Sequence, residues 1–406
     1  MPITLEPGAA ALLDALHAAG YAAYAVGGCV RDSLLGLTPH DWDLCTSAAP
    51  EQVIELFGEA SCIPTGLQHG TVTVKRGGKL YETTTFRTEG AYSDGRHPDA
   101  VHFVPDVRED LARRDFTINA MAYSAEEGLV DPFGGREDLA RGVVRAVGEP
   151  QRRFEEDALR ILRLYRFAAR FGFDIDPDTD AAARALCGRL SCVSVERIAE
   201  ECRQLLATPR PAKWLEPEVF AVVLPELPAE AFARARGWLD DLPAGQEGLP
   251  IRLAALLGSL GEAGARAALR RLRCSNALID AVGVLVREQG IVPAPDATMQ
   301  ARRLLGRLEL DQIEGLAALV SVQRPDEAEG FAALAAEARA CVRRGYCCRV
   351  ADLAVNGRDL IAAGVAPGPG LRKTLEALLE AVVTGQAAND REALLALTRT
   401  MVRGSI

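Results

Sequence analysis

With 406 residues the chain exceeds one ordinary domain, and two to four compact units are expected. Its 49% apolar and 25% charged residues are typical of a globular protein, and no stretch reaches the apolar length needed to span a bilayer. A net charge of −10 argues against indiscriminate nucleic-acid binding, though a local basic strip can still supply phosphate contacts.

Glu6 and Asp14, with no early basic residue, do not read as a secretory signal, so a cytoplasmic enzyme is expected. Residues 7–19, closed by Gly20, predict an amphipathic helix. Strands are predicted over 22–26, 41–45, 71–75, 79–84 and 101–104, separated by Gly, Pro and Asp. Between the first two lies the most informative segment, YAVGGCVRDSLLGLTPHDWDLC, which reads as strand, glycine turn, short helix, strand. Gly27 and Gly28 let the backbone approach a ligand closely. Arg31 and Asp32 follow on the first helical turn, where free N–H groups favour phosphate. Asp41 and Asp43 at i and i+2 share one face of a strand. Two hard oxygen ligands beside a phosphate-binding turn suit a pair of Mg²⁺ ions and in-line attack on a nucleotide phosphate. Glu82, in KLYETTTF, is the candidate third carboxylate. The Gly, Asp, Ser and Pro content of residues 86–104 predicts a mobile loop.

In RRDFTINAM, Arg114 offers charge-assisted bonds to phosphate, Asp115 can accept from ribose hydroxyls, and Asn119 can orient the backbone or the sugar. Asp115 also reads as the N-cap of a helix over 116–121. After Pro150 the pattern turns to long helical periodicity, with breaks near 174–178, 209–211, 243–248, 292–297 and 364–370. A helix is predicted over 152–173, with Phe154, Ala158, Ile161, Leu162, Tyr165 and Ala168 on one arc. Arg160, Arg163, Arg166 and Arg170 occupy the other. Asp157 and Arg160, three apart, are predicted neighbours. They form either an ion pair on a solvated face or a reader of base edges, since a carboxylate accepts and a guanidinium donates. Cytosine and adenine match that edge, whereas uracil and guanine clash with it. The ten cysteines show no CxxC pairing, so metal knuckles and a disulfide framework are not expected, and Cys347-Cys348 reads as incidental.

Together GGCVRD with HDWD, RRDFTINA, the DPFGG segment through Asp138-Leu139, EEDALRILR and VSVERIAEE resemble the motifs of class II CCA-adding tRNA nucleotidyltransferases, relatives of bacterial poly(A) polymerases. The resemblance implies an α+β fold. A polymerase-β-like head over 1–150 would precede an all-helical neck (151–210), body (211–335) and tail (336–406). It implies that Asp41 and Asp43 bind Mg²⁺, that Gly28, Arg31 and Arg114 hold the triphosphate, and that Asp115 takes the ribose. Asp157 and Arg160 would read the base, with Arg163 and Arg166 on the nucleotide. The substrates implied are CTP, ATP and the acceptor–TΨC arm of tRNA. PGPG at 367–370 departs from the lysine-rich form usual in that tail. The five histidines end at His102, which excludes an appended histidine–aspartate phosphohydrolase domain. Full CCA addition is the expected activity; CC-only or A-only addition and poly(A) synthesis are the alternatives within the family. A small-molecule nucleotidyltransferase would not need the long helical arm. A non-catalytic RNA-binding relative would be expected to lose a carboxylate.

Overall fold

In the computed structural model, residues 3–90 and 101–404 are described. The first unit, Met1–Pro225, starts with α1 (Pro7–Ala18), whose N-cap Glu6 accepts from the N–H groups of Gly8 and Ala9 at 2.9 and 3.1 Å. Then come β1 (Ala23–Val26), α2 (Gly28–Leu34), β2 (Leu44–Thr46), α3 (Pro50–Phe57), β3 (Cys62–Gly66), β4 (Thr71–Arg76) and β5 (Lys79–Thr85). A hairpin of β6 (Arg87–Glu89) and β7 (Val101–Phe103) leads to α4 (Val107–Ala112), β8 (Ala122–Ser124), β9 (Gly128–Val130) and α5 (Gly135–Arg141). Of the loop predicted over 86–104, residues 91–100 lie outside the described residues.

Seven strands form one sheet in the order β3-β4-β5-β2-β1-β8-β9. Every pairing is antiparallel except β2 with β5, where Leu44, Cys45 and Thr46 face Thr83, Thr84 and Thr85. Tyr24, Val26, Cys45, Phe86, Leu111 and Ala122 pack into one apolar cluster under the sheet. The strand predicted over 41–45 begins only at Leu44, so Asp41 and Asp43 lie on the approach to β2 rather than within it. The backbone of Asp43 is nonetheless held, because Val26 N–H donates to its carbonyl at 2.9 Å.

β10 (Val143–Val144) pairs in parallel with β11 (Asp174–Ile175), and between them run α6 (Pro150–Glu156) and α7 (Leu159–Phe171). The single helix predicted over 152–173 is therefore two, broken at Asp157, whose φ of −143° and ψ of 104° are extended. The predicted apolar arc is buried as expected, including Phe154, Ile161, Leu162 and Tyr165. Its opposite arc is not simply solvated: Arg160 and Arg166 are 9% and 8% exposed. The helix predicted over 116–121 is only a 3₁₀ turn, Thr117–Asn119. There Thr117 N–H donates to the Arg145 carbonyl and Phe116 bridges to Ala146, so the backbone is committed to a neighbouring segment. α8 (Pro177–Leu186), α9 (Val195–Leu206) and α10 (Pro217–Val223) complete this unit.

The second unit, Glu226–Ile406, is helical throughout its described residues. It contains α11 (Ala229–Arg236), α12 (Gly245–Leu257), α13 (Gly261–Arg271), α14 (Asn276–Glu288), α15 (Ala297–Leu305), α16 (Leu310–Gln323) and α17 (Ala328–Arg343). α18 (Gly357–Ala362), α19 (Pro369–Val383) and α20 (Arg391–Gly404) follow, packed around Leu353, Leu360, Leu378, Val382 and Leu394. The Pro of PGPG opens α19 at its first turn, where its missing N–H costs nothing. Cys347 and Cys348 are buried, and burial pushes the Cys347 thiol up to about 11, so it is inert at neutral pH. Among the described residues no helix is long and apolar enough to cross a membrane.

Candidate active site

Glu82 lies on the face of β5 opposite the buried Tyr81, Thr83 and Thr85. Because Leu44 is in register with Thr83, the preceding positions Asp43 and Glu82 come side by side where β2 meets β5. Partial desolvation and the negative charges of Glu82 and Asp41 raise the Asp43 carboxyl above its ordinary range, and Arg114 opposes them. Asp41 is exposed, with His40 Nδ1 at 3.4 Å from its carboxylate. Asp43 thus feels the charge of two nearby carboxylates, a repulsion that a hard cation relieves. Among the described residues no group of three or more His, Cys, Asp or Glu forms a ready-made metal cage. A Mg²⁺ site built on two aspartates and completed by substrate phosphates does not need one. A cavity of about 1320 Å³ borders Asp41 along with His40, Trp42, Lys79 and Tyr81; Asp43, Arg31 and α7 are not among its walls.

The glycine turn joins this centre to a set of guanidiniums. Gly27 has φ +77°, which favours glycine, and a Cβ there would stand 2.8 Å from Arg114 Nη1 and push the guanidinium aside. At Gly28 a Cβ would meet only Arg31 Nη2, at 3.6 Å, an ordinary contact. Arg114 donates to Asp110 at 3.4 Å, and its buried Nε has no hydrogen-bond partner among the described residues. Arg31 is buried; its Nε donates to Asp32 at 2.8 Å and its Nη1 donates to the Asn119 side-chain oxygen.

Asp115 is the junction between head and α7. One oxygen accepts from Phe116 N–H at 2.8 Å and Asn119 Nδ2 at 3.1 Å. The other accepts from Arg163 Nε at 2.9 Å and Nη2 at 2.7 Å. Burial alone would raise this carboxyl, but Arg163, Asn119 and Arg160 outweigh it and hold it well below the usual range. Instead of capping a helix, then, Asp115 anchors an arginine of α7. The DPFGG segment braces the same turn. Asp138 accepts from Thr117 Oγ1 at 2.6 Å, and a Cβ at Gly135 would lie 2.1 Å from the Thr117 carbonyl oxygen.

Asp157 and Arg160 do not bond through their side chains. Asp157 accepts from Arg197 of α9 at 2.7 and 3.4 Å and from Leu159 N–H at 3.0 Å. Arg160 donates to Glu156 at 2.9 Å and to the carbonyls of Arg153 and Arg113 at 3.2 and 3.0 Å. The i,i+3 argument for that pair presupposed an unbroken helix. Arg166 donates to the buried Glu201 of α9, whose other oxygen lies 3.8 Å from Arg163. Sequence reasoning missed Asp110, Arg197 and Glu201 as partners. Only Asp110 carried a local signal, three and four residues before Arg113 and Arg114, whose charges overcome burial and lower its carboxyl.

Comparison with known proteins fits this geometry. Residues 23–145 match the Poly A polymerase head domain, 172–229 the probable RNA and SrmB-binding site of polymerase A, and 252–398 tRNA nucleotidyltransferase domain 2. The CCA-adding enzyme of Limosilactobacillus fermentum is 37% identical over 97% of this chain and 96% of its own. That of Geobacillus stearothermophilus is 37% identical over 95% and 94%. The crystal structure of the Bacillus stearothermophilus CCA-adding enzyme in complex with CTP matches with a TM-score of 0.81 at 32% identity, covering 99% of both chains. The chain belongs to the CCA-adding enzyme family of nucleotidyltransferases.

Proposed function

We propose that Asp41 and Asp43, with Glu82 beside them, are the catalytic carboxylates of a template-independent enzyme that adds C, C and A to the 3′ end of tRNA. CTP and ATP are the nucleotides consumed and pyrophosphate is released. The single observation that carries this reading is that Asp43, in register beside Glu82, feels the charges of Glu82, Asp41 and Arg114, the arginine next to the Gly27 turn. Family membership implies dependence on a divalent metal, and Mg²⁺ is the ion that two hard aspartate ligands favour. When bound, the metal lowers the pKa of the attacking 3′-hydroxyl and steadies charge on the leaving group.

The chain's own residues position the reactants. Arg31 and Arg114 offer guanidiniums to the triphosphate, and the turn at Gly27 and Gly28 brings the backbone close to it. Asp115 and Asn119 would hold the ribose. Asp157 and Arg160 present an acceptor and a donor to the base, with Arg163 and Arg166 next along α7. Transfer then rests on alignment and electrostatics and needs no covalent protein intermediate. The neck, body and tail boundaries at 150, 210 and 335 remain our assignment, with the acceptor–TΨC arm bound by the helical part.

The test uses tRNA lacking its 3′ end, incubated with CTP alone, ATP alone and both. Two added residues with CTP and three with the mixture are expected. Two residues with the mixture would make this a CC-adding enzyme, and extension by ATP of CC-ended tRNA alone an A-adding one. Long products from ATP alone would make it a poly(A) polymerase. Loss of Mn²⁺ binding in Asp43→Ala, followed by paramagnetic relaxation, would locate the metal independently of turnover.

A further inference from the structure

One buried aromatic ring gathers the arginines that the proposed function assigns to the nucleotide. Phe167, on α7, is 4% exposed. The guanidinium carbons of Arg31, Arg163 and Arg166 lie 5.3, 5.3 and 4.2 Å from its centroid. Arg31 comes from the head, and Arg163 and Arg166 from α7 itself. Phe116, next to Asp115, meets the ring edge-on at 5.9 Å and 78°. Phe171, one turn along, lies parallel at 6.2 Å and 2°, and Arg31 also sits 4.9 Å from the Phe171 centroid.

Three like charges around one point repel one another. Each has a carboxylate partner: Asp32 for Arg31, Asp115 for Arg163, Glu201 for Arg166. Those carboxylates lie on different elements, so they give the cations no common reference point. The π-face of Phe167 does, since the quadrupole of this buried ring attracts all three.

We propose that Phe167 is a positioning residue for nucleotide binding. It touches no substrate, but it holds Arg31 at a fixed distance from Arg163 and Arg166 so that the three guanidiniums arrive already arranged for triphosphate and ribose. This inference rests on the assignment of those arginines to the nucleotide. Pre-arranged ligands chiefly strengthen ground-state binding, so the effect falls on KM rather than on kcat.

The test is made on the full-length protein, after the wild type has been shown to add nucleotides to tRNA. Failure at that first step counts against the proposed function and not against this inference. Phe167→Leu keeps an apolar side chain and removes the π-face. It is expected to raise KM for both CTP and ATP about tenfold with kcat within about threefold. Incorporation of mono-, di- and trifluorophenylalanine at position 167 keeps shape and folding while weakening the quadrupole stepwise, so KM should climb with each fluorine. In an Arg31→Ala background the same series should have a flatter slope. KM that ignores fluorination in folded protein overturns the proposal and leaves the ring a packing role. A kcat that falls in step with the melting temperature while KM stays unchanged overturns it as well.

Discussion

Replacing Asp115 by asparagine tests the link between head and α7 with almost no change in volume. The retained oxygen can still serve Phe116 N–H and Asn119, but an NH₂ group now opposes the Arg163 Nε and Nη2 that were 2.9 and 2.7 Å from the lost oxygen. Two charge-assisted bonds to one oxygen become donor against donor. Breaking a buried pair costs about 3–5 kcal/mol, and because Arg163 is about one third exposed and can turn to water, about 2–3 kcal/mol is the better figure. For a unit of this size that corresponds to a fall of about 5–10 °C in Tm. Acid sensitivity supplies the sign. The Asp115 carboxyl is held well below the usual range, so its contribution is complete above the unfolded value near 4 and is lost as pH falls through the folded one. The Tm gap between wild type and Asp115→Asn should therefore be constant from about pH 6 to 9 and narrow only below about pH 4. KM for CTP and ATP should rise together. A gap under about 2 °C at pH 7, or one that widens on acidification, would refute the assignment of Asp115 as the anchor.

Asp41→Ala and Asp43→Ala should each abolish all nucleotide addition while leaving tRNA binding by filter retention largely intact; wild-type turnover in Asp43→Ala would remove the metal assignment. Arg160→Ala should loosen nucleotide choice, read as incorporation of UTP and GTP, and unchanged rejection of both would end the base-reading role. Gly27→Ala meets both a φ of +77° and the Arg114 guanidinium, so it should lose about 1–2 kcal/mol in denaturant unfolding and weaken binding of both nucleotides. Burial and a hydrogen bond shared with Glu218 push the Glu216 carboxyl up to about 7, with Arg184 opposing. Its ionised form is the disfavoured one, so stability is lost as pH rises from the unfolded value through about 7. Glu216→Gln should gain Tm relative to wild type between pH 5.5 and 8.5, and a gap independent of pH would contradict that.

Short-range chemistry was readable from the chain itself. β1, β4 and β5 lie within a residue or so of their predicted limits, β1 because it is an apolar run stopped by Gly27, β4 and β5 because they are alternating segments separated by Gly77-Gly78. β3, β6, β8 and β9 escaped notice. Three of them are three residues long, too short for any periodicity to register. The break at Asp157 had no Gly or Pro to announce it and is held by Arg197, forty positions away. The arginines of α7 showed a correct arc but not their burial, since the partners Asp115 and Glu201 come from distant segments. Proximity of Asp43 to Glu82 required knowing that β2 and β5 run parallel, which no local pattern encodes.

Gly135 leaves no room for a side chain against the Thr117 carbonyl, and Asp138 clasps the Thr117 hydroxyl from the same helix. The DPFGG segment is therefore clamped where it meets the turn at residues 115–119. Any displacement of α5 must carry residues 115–119 along as a single rigid piece.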